Sequence, residues 1–284
     1  MLTKNEVKEM DKFILKVRLE TLKEITNLGF GHIGGAASII DVVGVLYSKV
    51  MRIDPKRPRW EDRDFLVVSK GHAGPTLYAT LALKGYFDIK LLETLNEDGT
   101  SLPSHCDMNL TTGIDMTTGS LGQGMSTAIG IALGNRLNKK DNYTYLILGD
   151  GELNEGQVWE GAMFANQYKL DNLIAFVDEN KKQLDGYTKD INDSGDIKKK
   201  FESFGWDSYY IDGADSEIIF NTIEIAKSVK SKPSVIILDT IKGQGYDFVE
   251  EAMANHHMNF NEAQVKRANE LIEQFEKDLK NGNY

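Results

Sequence analysis

The sequence predicts an α/β protein with a doubly wound, mostly parallel sheet flanked by helices. Short apolar runs rich in β-branched residues alternate along the chain with segments whose apolar residues recur at helical spacing. Near-continuous apolar strands of this kind are typical of parallel sheets that are buried on both faces. Because we find no repeats, low-complexity tracts or convincing linker, we expect a single domain over residues 1–284.

The first part of the chain predicts helices separated by loops, with one strand among them. Residues 5–27 have mostly helical apolar spacing, and Gly29 ends this helix as glycine commonly does. The predicted elements that follow are a glycine-rich loop, a helix at 38–51, a strand at 64–69, a loop and helix at 70–86, a long loop at 102–124 and an apolar helix at 126–138. A loop as long as the last one usually serves a function.

Strands and helices alternate more regularly in the second part of the chain. The predicted elements are a strand at 143–149, a helix at 155–169, a strand at 172–180, a further candidate strand at 207–213, a helix at 215–230, a strand at 233–239 that runs into glycines, and a charged helix at 261–280. This alternation predicts the parallel sheet, since parallel strands need helical crossovers.

Charge and composition exclude several classes of protein. The net charge of −10 argues against a nucleic-acid partner and against docking on anionic lipid. No apolar run reaches the roughly 20 residues of a membrane span, and the charged N-terminal segment is not expected to be a signal peptide. A single cysteine, Cys106, forbids an internal disulfide and fits a cytoplasmic protein. We expect Cys106 to be packed rather than catalytic, because its sequence neighbour His105 should point elsewhere.

Gly29, Gly31 and Gly34 match the G-x-G-x-x-G fingerprint of dinucleotide binding. That fingerprint requires a strand before the glycines and an acidic residue about 20 residues further on, at the end of a second strand. Here a predicted helix precedes the glycines, and no such acidic residue follows. We therefore interpret the match as accidental and the glycines as a sharp turn around His32.

Polar residues follow two strands of the predicted sheet. Asp150 follows the strand that breaks at Gly149, and Asn180 ends the strand at 172–180. The carboxyl ends of parallel strands are where ligands bind in open α/β sheets. A carboxylate and an amide oxygen are hard ligands, suited to Mg²⁺ or Ca²⁺ rather than zinc. GDG and DEN are also common turn sequences, so each motif taken alone is compatible with a turn.

Taken together, the two motifs and their spacing resemble the thiamine diphosphate motif, and the run from Gly149 to Asn180 closely resembles transketolase. Four other segments resemble the same family and occur in its order: GHIGGAAS, SKGHAGPTLYA, DMTTGSLGQG and TIKGQGYDFVEEAMANHH. The resemblance implies the thiamine diphosphate-binding fold and transfer of a two-carbon ketol unit from a ketose to an aldose.

The resemblance also implies roles for individual residues. The implied ligands of Mg²⁺, for which Ca²⁺ or Mn²⁺ can substitute, are Asp150, Asn180 and the backbone carbonyl of Lys182. The implied contacts with thiamine diphosphate are His72, Gly119, Ser120, Leu121, Gly151, Asn180, Lys242 and His256. The implied catalytic residues, which face the sugar, are His32, His105 and His256. Histidine suits proton transfer to and from sugar hydroxyls near neutral pH.

The chain departs from the family at three places. His257 stands where the family often has glycine, Ile33 stands where many members have proline, and SHCD at 104–107 replaces the more usual G-H-P. The wall of the substrate channel therefore differs, and the sequence does not predict which sugars are used.

The resemblance ends after His256, and nothing in the chain resembles the second transketolase domain. The chain therefore resembles the N-terminal subunit of a split transketolase. This implies a separate C-terminal subunit, an α2β2 assembly, sugar or sugar phosphate substrates and no activity of the chain alone. Glu155 and Glu160 match acidic residues at the dimer interface of the family.

Two other functions are compatible with the sequence. One is another thiamine diphosphate enzyme, either a deoxyxylulose phosphate synthase or the α subunit of a 2-oxo acid dehydrogenase. The other is a non-catalytic subunit that binds a cofactor or nucleotide or holds a partner. The presence of Asp150, Asn180 and the four matched histidines argues against a degenerate subunit.

Overall fold

A five-stranded, fully parallel sheet forms the centre of the protein and confirms the predicted fold class. The computed structural model describes residues 2–284, and Met1 lies outside the described residues. The strands, in chain order, are β1 (Phe30–Gly31), β2 (Phe65–Val68), β3 (Thr144–Gly149), β4 (Leu173–Glu179), β5 (Lys182–Gln183), β6 (Gly186–Tyr187), β7 (Asp207–Asp212), β8 (Ser234–Asp239) and β9 (Met258–Asn259). The order across the sheet is β2-β3-β4-β8-β7.

Eleven α-helices of four residues or more surround the sheet in the described residues. In chain order they are α1 (Lys4–Leu28), α2 (Ile33–Ala37), α3 (Ile40–Val45), α4 (Gly74–Lys84), α5 (Gln123–Leu137), α6 (Gly156–Gln167), α7 (Thr188–Ile191), α8 (Ile197–Ser203), α9 (Ser216–Ser228), α10 (Asp247–Glu250) and α11 (Glu262–Asn281). In residues 2–284, no helix has both the length and the apolar character needed to cross a membrane.

Two hydrophobic cores cover the two faces of the sheet. Successive strand residues alternate between them: Tyr145 and Ile147 of β3 belong to one core, and Leu146 and Leu148 belong to the other. The first core packs against helices that include α1, α3, α4 and α9, and the second packs against α5, α6 and α8. Burial on both faces explains why the strands are apolar throughout rather than alternating in polarity.

The observed elements match most of the predicted ones, but the short elements β5, β6, α7, α10 and β9 were not predicted, and three further segments differ. The glycine-rich segment is not a plain loop, because Phe30–Gly31 forms a strand and Ile33–Ala37 forms a helix. The helix predicted at 38–51 is α3 followed by a wider helical turn over Leu46–Val50. Helix α8 was not predicted, because it is short, rich in lysine and has only two buried residues, Ile197 and Phe201, to indicate a helical period.

A small two-stranded ladder lies apart from the main sheet. Strands β1 and β9 pair in antiparallel register, with Phe30 opposite Asn259 and Gly31 opposite Met258. Gly29 takes a left-handed conformation, with φ of 81°, as it ends α1 and turns the chain into β1. The glycines at 29, 31 and 34 therefore follow the long helix α1, whereas a dinucleotide fingerprint follows a strand of the parallel sheet.

Helix α1 packs so closely against α3 that one methyl group added at Gly44 should lower the free energy of unfolding. A β-carbon at Gly44 would lie 2.5 Å from Ile14 Cγ1, so Gly44→Ala should lower the free energy of unfolding by about 1–3 kcal/mol. Gly130, in α5, would have no atom within 4 Å of an added β-carbon and serves as the matched control. Gly130→Ala should raise the free energy of unfolding by about 0.5–1 kcal/mol. Equal effects of the two substitutions in urea denaturation would contradict this account of the core.

Candidate functional site

Asp150 and Asn180 lie side by side at the carboxyl edge of the sheet. The pairing of β3 with β4 puts Gly149 opposite Asp178, and the two predicted residues follow at that edge. Both side chains are buried. The Asp150 carboxylate accepts hydrogen bonds from the backbone N–H groups of Gly151, at 2.8 Å, and Lys181, at 2.7 Å. Burial, followed by the nearby Asp178 carboxylate, raises the pKa of Asp150 to about 7.

The backbone carbonyl of Lys182 lies at the same edge and contacts the ammonium group of a lysine side chain. It accepts a hydrogen bond of 3.0 Å from the Nζ atom of Lys242, which is also 3.2 Å from Nδ1 of His256. The Lys182 N–H in turn contacts Oδ1 of Asn180 at 3.2 Å. Burial, together with Lys70, lowers the pKa of Lys242 to about 8.

These donors fit a hard divalent cation. They comprise one carboxylate, one amide oxygen and one backbone carbonyl, the oxygen types that Mg²⁺ and Ca²⁺ prefer. Within residues 2–284, no group of three or more His, Cys, Asp or Glu residues could hold a metal ion. A cation at this edge would therefore depend on Asp150, Asn180 and the Lys182 carbonyl, completed by oxygens of a bound ligand.

A buried ion pair between Lys70 and Asp178 lies next to these ligands. We call this pair, with the hydroxyl donors Ser38 and Thr240, the Asp178 floor. The Nζ atom of Lys70 donates to Asp178 Oδ2 at 2.5 Å and to the backbone carbonyl of Gly35 at 2.7 Å. Asp178 also accepts hydrogen bonds from Ser38 and Thr240. Burial alone would raise the pKa of Asp178, but the Lys70 ammonium and these donors hold it below its usual value.

The floor also orients Asn180. Its Nδ2 group donates to Asp178 Oδ2 at 2.7 Å, so the amide oxygen faces away from the ion pair. Sequence reasoning missed Lys70 and Asp178. The one available signal was a carboxylate inside an otherwise apolar strand, since a buried charge requires a partner.

Glu152 is a second buried carboxylate that sequence reasoning missed. It accepts hydrogen bonds from the backbone N–H groups of Gly122, at 2.6 Å, and Gly149, at 3.0 Å, and from the hydroxyl of Ser69. Burial raises its pKa despite these donors. Glu152 thereby ties the end of the long loop to the end of β3.

Four predicted histidines converge at one place. The ring of His32 has its centroid 5.5 Å from that of His72, 5.2 Å from that of His105 and 5.4 Å from that of His256. Burial lowers the pKa of His32 to about 4 and that of His256 to about 3, with further lowering by neighbouring imidazoles and Lys242. The pKa values of His72 and His105 are also lowered, chiefly by burial. The imidazoles are therefore neutral near pH 7, and each has a ring nitrogen that can accept a hydrogen bond.

Glycines bring the backbone close to this cluster. A β-carbon at Gly34 would lie 2.1 Å from the carbonyl oxygen of Asn255, and one at Gly35 would lie 2.9 Å from His72 Nε2. Gly119 has a φ of 138°, and a β-carbon there would lie 2.9 Å from the ring of His105. Only glycine allows these approaches.

A cavity of about 310 Å³ joins the strand ends to the histidines. Its lining includes the predicted residues His72, His105, Gly119, Leu121, Asp150, Gly151, Asn180, Lys182, Lys242 and His256. His32 adjoins it through the ring contacts given above, whereas Ser120 is exposed and lies outside the lining. A larger cavity of about 670 Å³ is lined by parts of α1 and α11 and contains none of the predicted residues. Cys106 is buried, with its pKa raised to about 12 by burial, as expected of a packed cysteine.

The fold and the site define a parallel α/β protein with a histidine-lined cleft at the carboxyl edge of its sheet. The family model for the thiamine diphosphate binding domain of transketolase matches residues 10–276. The chain therefore belongs to the transketolase family.

Relatives and solved structures agree with this assignment. The chain is 54% identical over 252 residues to a protein of Clostridium sp. (strain MSTE9) named 6-deoxy-6-sulfo-D-fructose transketolase subunit SqwG, covering 89% of this chain and 92% of that relative. It is 38% identical to a protein of Phocaeicola vulgatus named for one subunit of an apulose-4-phosphate transketolase, covering 87% and 89%. The crystal structure of Campylobacter jejuni transketolase matches with a TM-score of 0.85 at 27% identity, covering 99% of this chain and 47% of that chain. The chain thus spans less than half of that solved transketolase.

The buried ion pair predicts a large loss of stability when one partner is removed. Lys70→Met leaves the Asp178 carboxylate buried without its cation and should lower the free energy of unfolding by about 3–5 kcal/mol. Lys181 pairs with Asp239 at a neighbouring strand end, but both side chains are largely exposed. Lys181→Met should therefore cost at most about 1 kcal/mol. Urea denaturation of both variants measures the difference, and similar losses would refute the structural role of Lys70.

The lowered pKa of His32 predicts a pH dependence of stability. Its pKa is about 4 in the folded chain and rises to its ordinary value of 6.5 on unfolding, so the unfolded chain binds more protons between these values. The free energy of unfolding should therefore fall as the pH drops from 6.5 towards 4. In His32→Gln this fall should be smaller, because one proton-binding group is removed. Denaturation of both proteins at pH 7.5 and pH 5 tests this, and identical falls would rule it out.

Proposed function

We propose that the chain binds thiamine diphosphate and Mg²⁺ in the histidine-lined cleft and forms a transketolase together with a separate C-terminal subunit. One observation supports the proposal most strongly. Three oxygen donors, from Asp150, Asn180 and Lys182, lie at the same cavity as a cluster of four histidines. The assembly would transfer a two-carbon ketol unit from a ketose or ketose phosphate to an aldose or aldose phosphate.

In this proposal the metal is held by the Asp150 carboxylate, the Asn180 amide oxygen and the Lys182 carbonyl. Ca²⁺ or Mn²⁺ could replace Mg²⁺, since all three are hard cations that accept oxygen ligands. The Asp178 floor supports the proposal, because it holds the Asn180 oxygen towards the ligand side. The contact of the Lys242 ammonium with the Lys182 carbonyl also supports it, because this carbonyl is directed at a position suited to positive charge.

The diphosphate would contact a second set of residues around the metal. Gly151 has room for no side chain, because a β-carbon there would lie 2.8 Å from Gln183 Cβ, and its backbone can approach a ligand closely. Around the diphosphate we assign Gly151, His72, Lys242 and His256, and around the aminopyrimidine ring Gly119, Ser120 and Leu121. When bound, the cofactor supplies the carbon nucleophile and the electron sink of the reaction.

The histidines would bind and orient the sugar substrate. His32, His105 and His256 are neutral near pH 7, so each can orient a sugar hydroxyl by accepting a hydrogen bond from it. Several convergent donors and acceptors are needed to orient an acyclic, polar substrate, and the ring contacts among these residues provide them.

The partner is inferred from the relatives. Two relatives that match this chain over about nine-tenths of their own length are named as subunits, whereas the solved transketolases are more than twice as long as the matched region. We therefore propose a C-terminal subunit in an α2β2 assembly. The single cysteine, Cys106, favours a cytoplasmic location. Glu155 and Glu160 are exposed at and just inside the start of α6, which leaves them available at a subunit interface.

The printed names of two kinds of relative favour two candidate donor sugars. The 54% identity to a protein named as a 6-deoxy-6-sulfo-D-fructose transketolase subunit favours a ketose that carries a sulfonate. A ketose phosphate is the second candidate, supported by the relatives named for apulose 4-phosphate at 38% identity. Pyruvate would be the donor if the assembly resembled deoxyxylulose phosphate synthase instead.

Reconstitution tests the proposal. The chain alone, with Mg²⁺ and thiamine diphosphate, should show no turnover, and addition of a protein that matches the C-terminal half of transketolase should give ketol transfer. The donors to compare are 6-deoxy-6-sulfofructose, xylulose 5-phosphate and pyruvate. Asp150→Ala should abolish activity of the assembly, while Asp239→Ala, which removes an exposed carboxylate at a neighbouring strand end, should leave it within about twofold.

Substantial turnover by the chain alone would contradict the need for a partner. Consumption of pyruvate without ketol transfer from either sugar would identify a different thiamine diphosphate enzyme.

A further inference from the structure

The small β1–β9 ladder sets two histidines opposite each other. Its register pairs Phe30 with Asn259 and Gly31 with Met258. Continued by one residue, the antiparallel register brings His32, directly after β1, opposite His257, directly before β9. Their ring centroids are 4.7 Å apart with an interplanar angle of 83°, an edge-to-face contact.

Both sides of this ladder are held in place by the rest of the fold. The backbone N–H of Phe260 donates to the carbonyl of Gly29 at 2.9 Å, which closes one end. Beyond the histidines, the N–H of Gly34 donates to the carbonyl of Asn255 at 3.1 Å. Asn255 is itself buried and donates to the Lys242 carbonyl. The backbones that carry the two imidazoles are therefore fixed relative to each other.

His257 extends the histidine cluster to the protein surface. His72 is buried, His256 and His32 are partly buried, and His257 is exposed. Successive ring centroids along this line are 4.7, 5.4 and 4.7 Å apart. The His257 ring also lies 5.9 Å from that of Phe30. His257 therefore contacts both Phe30 and His32.

We propose that His257 is a positioning residue that holds the His32 imidazole against the other histidines of the cleft. A glycine at this position would leave that side of His32 open and free to rotate. Neither His257 nor His32 is part of the cavity lining, but His257 is the more exposed of the two and contacts the His32 ring. The effect on turnover rests on the proposed function, whereas the ring contact can be tested on the chain alone.

The test compares His257→Gly with His257→Phe. Phenylalanine keeps an aromatic edge beside His32 but cannot exchange a proton, and glycine removes the ring. In the assembled enzyme, the glycine variant should lower kcat by about three- to tenfold, with KM and thiamine diphosphate affinity within about twofold of wild type. The phenylalanine variant should recover most of the lost kcat. His32→Ala provides the full loss of the imidazole for comparison.

Imidazole NMR spectra of the full chain give a readout that needs no activity. The five histidines of the wild-type chain are few enough to assign by substitution. The His32 signals should broaden or shift towards those of a mobile side chain in His257→Gly and remain sharp in His257→Phe. Thermal unfolding of each variant checks that the exposed substitution leaves the fold intact.

Unchanged His32 signals and unchanged kcat in the glycine variant would overturn the proposal. A phenylalanine variant as slow as the glycine variant, with sharp His32 signals, would also overturn it, because the His257 imidazole would then act directly. If the wild-type assembly shows no ketol transfer, the proposed function fails, and the NMR comparison still decides whether His257 holds His32.

Discussion

The buried contact between Lys70 and Asp178 joins most of the elements that build the site. Asp178, near the end of β4, binds Lys70 from the segment after β2, Ser38 between α2 and α3, and Thr240 after β8. Removing two charges from water is costly unless they are paired and hydrogen-bonded, and here both conditions are met. Asp178 also accepts a hydrogen bond from the amide nitrogen of Asn180, so the Asn180 amide oxygen faces away from the ion pair.

The cleft next to the Asp178 floor has two chemically distinct halves. Hard oxygen donors lie at the ends of β3 and β4, and neutral imidazoles lie on the loops and short elements around them. Burial disfavours the charged form in both halves. It raises the pKa of the Asp150 carboxyl and lowers the pKa values of the imidazoles. A cation would stabilise the carboxylate half, and the imidazole half stays uncharged near pH 7. Such a division suits the proposed reaction, in which a charged cofactor meets the hydroxyl and carbonyl groups of a sugar.

Much of the fold and part of the site could be predicted from the sequence. The parallel sheet was predicted because strands buried on both faces are apolar throughout, and the motif spacing by itself indicated the family. The ladder of β1 and β9 could not be predicted, because two-residue strands have no periodicity and the pairing joins residues more than 200 positions apart. The pairing of Lys70 with Asp178 was missed for a similar reason, since the two residues are 108 positions apart and the carboxylate within β4 does not by itself identify its partner. The roles of the assembled residues remain predictions.

The central claim is that the cleft takes thiamine diphosphate with a divalent cation rather than a dinucleotide. Calorimetric titration of the assembled two-subunit protein with each ligand in turn tests it most directly. The account predicts that thiamine diphosphate binds in the presence of Mg²⁺, that Asp150→Ala abolishes this binding, and that NAD produces no heat of binding. Binding of NAD without binding of thiamine diphosphate and Mg²⁺ would contradict it.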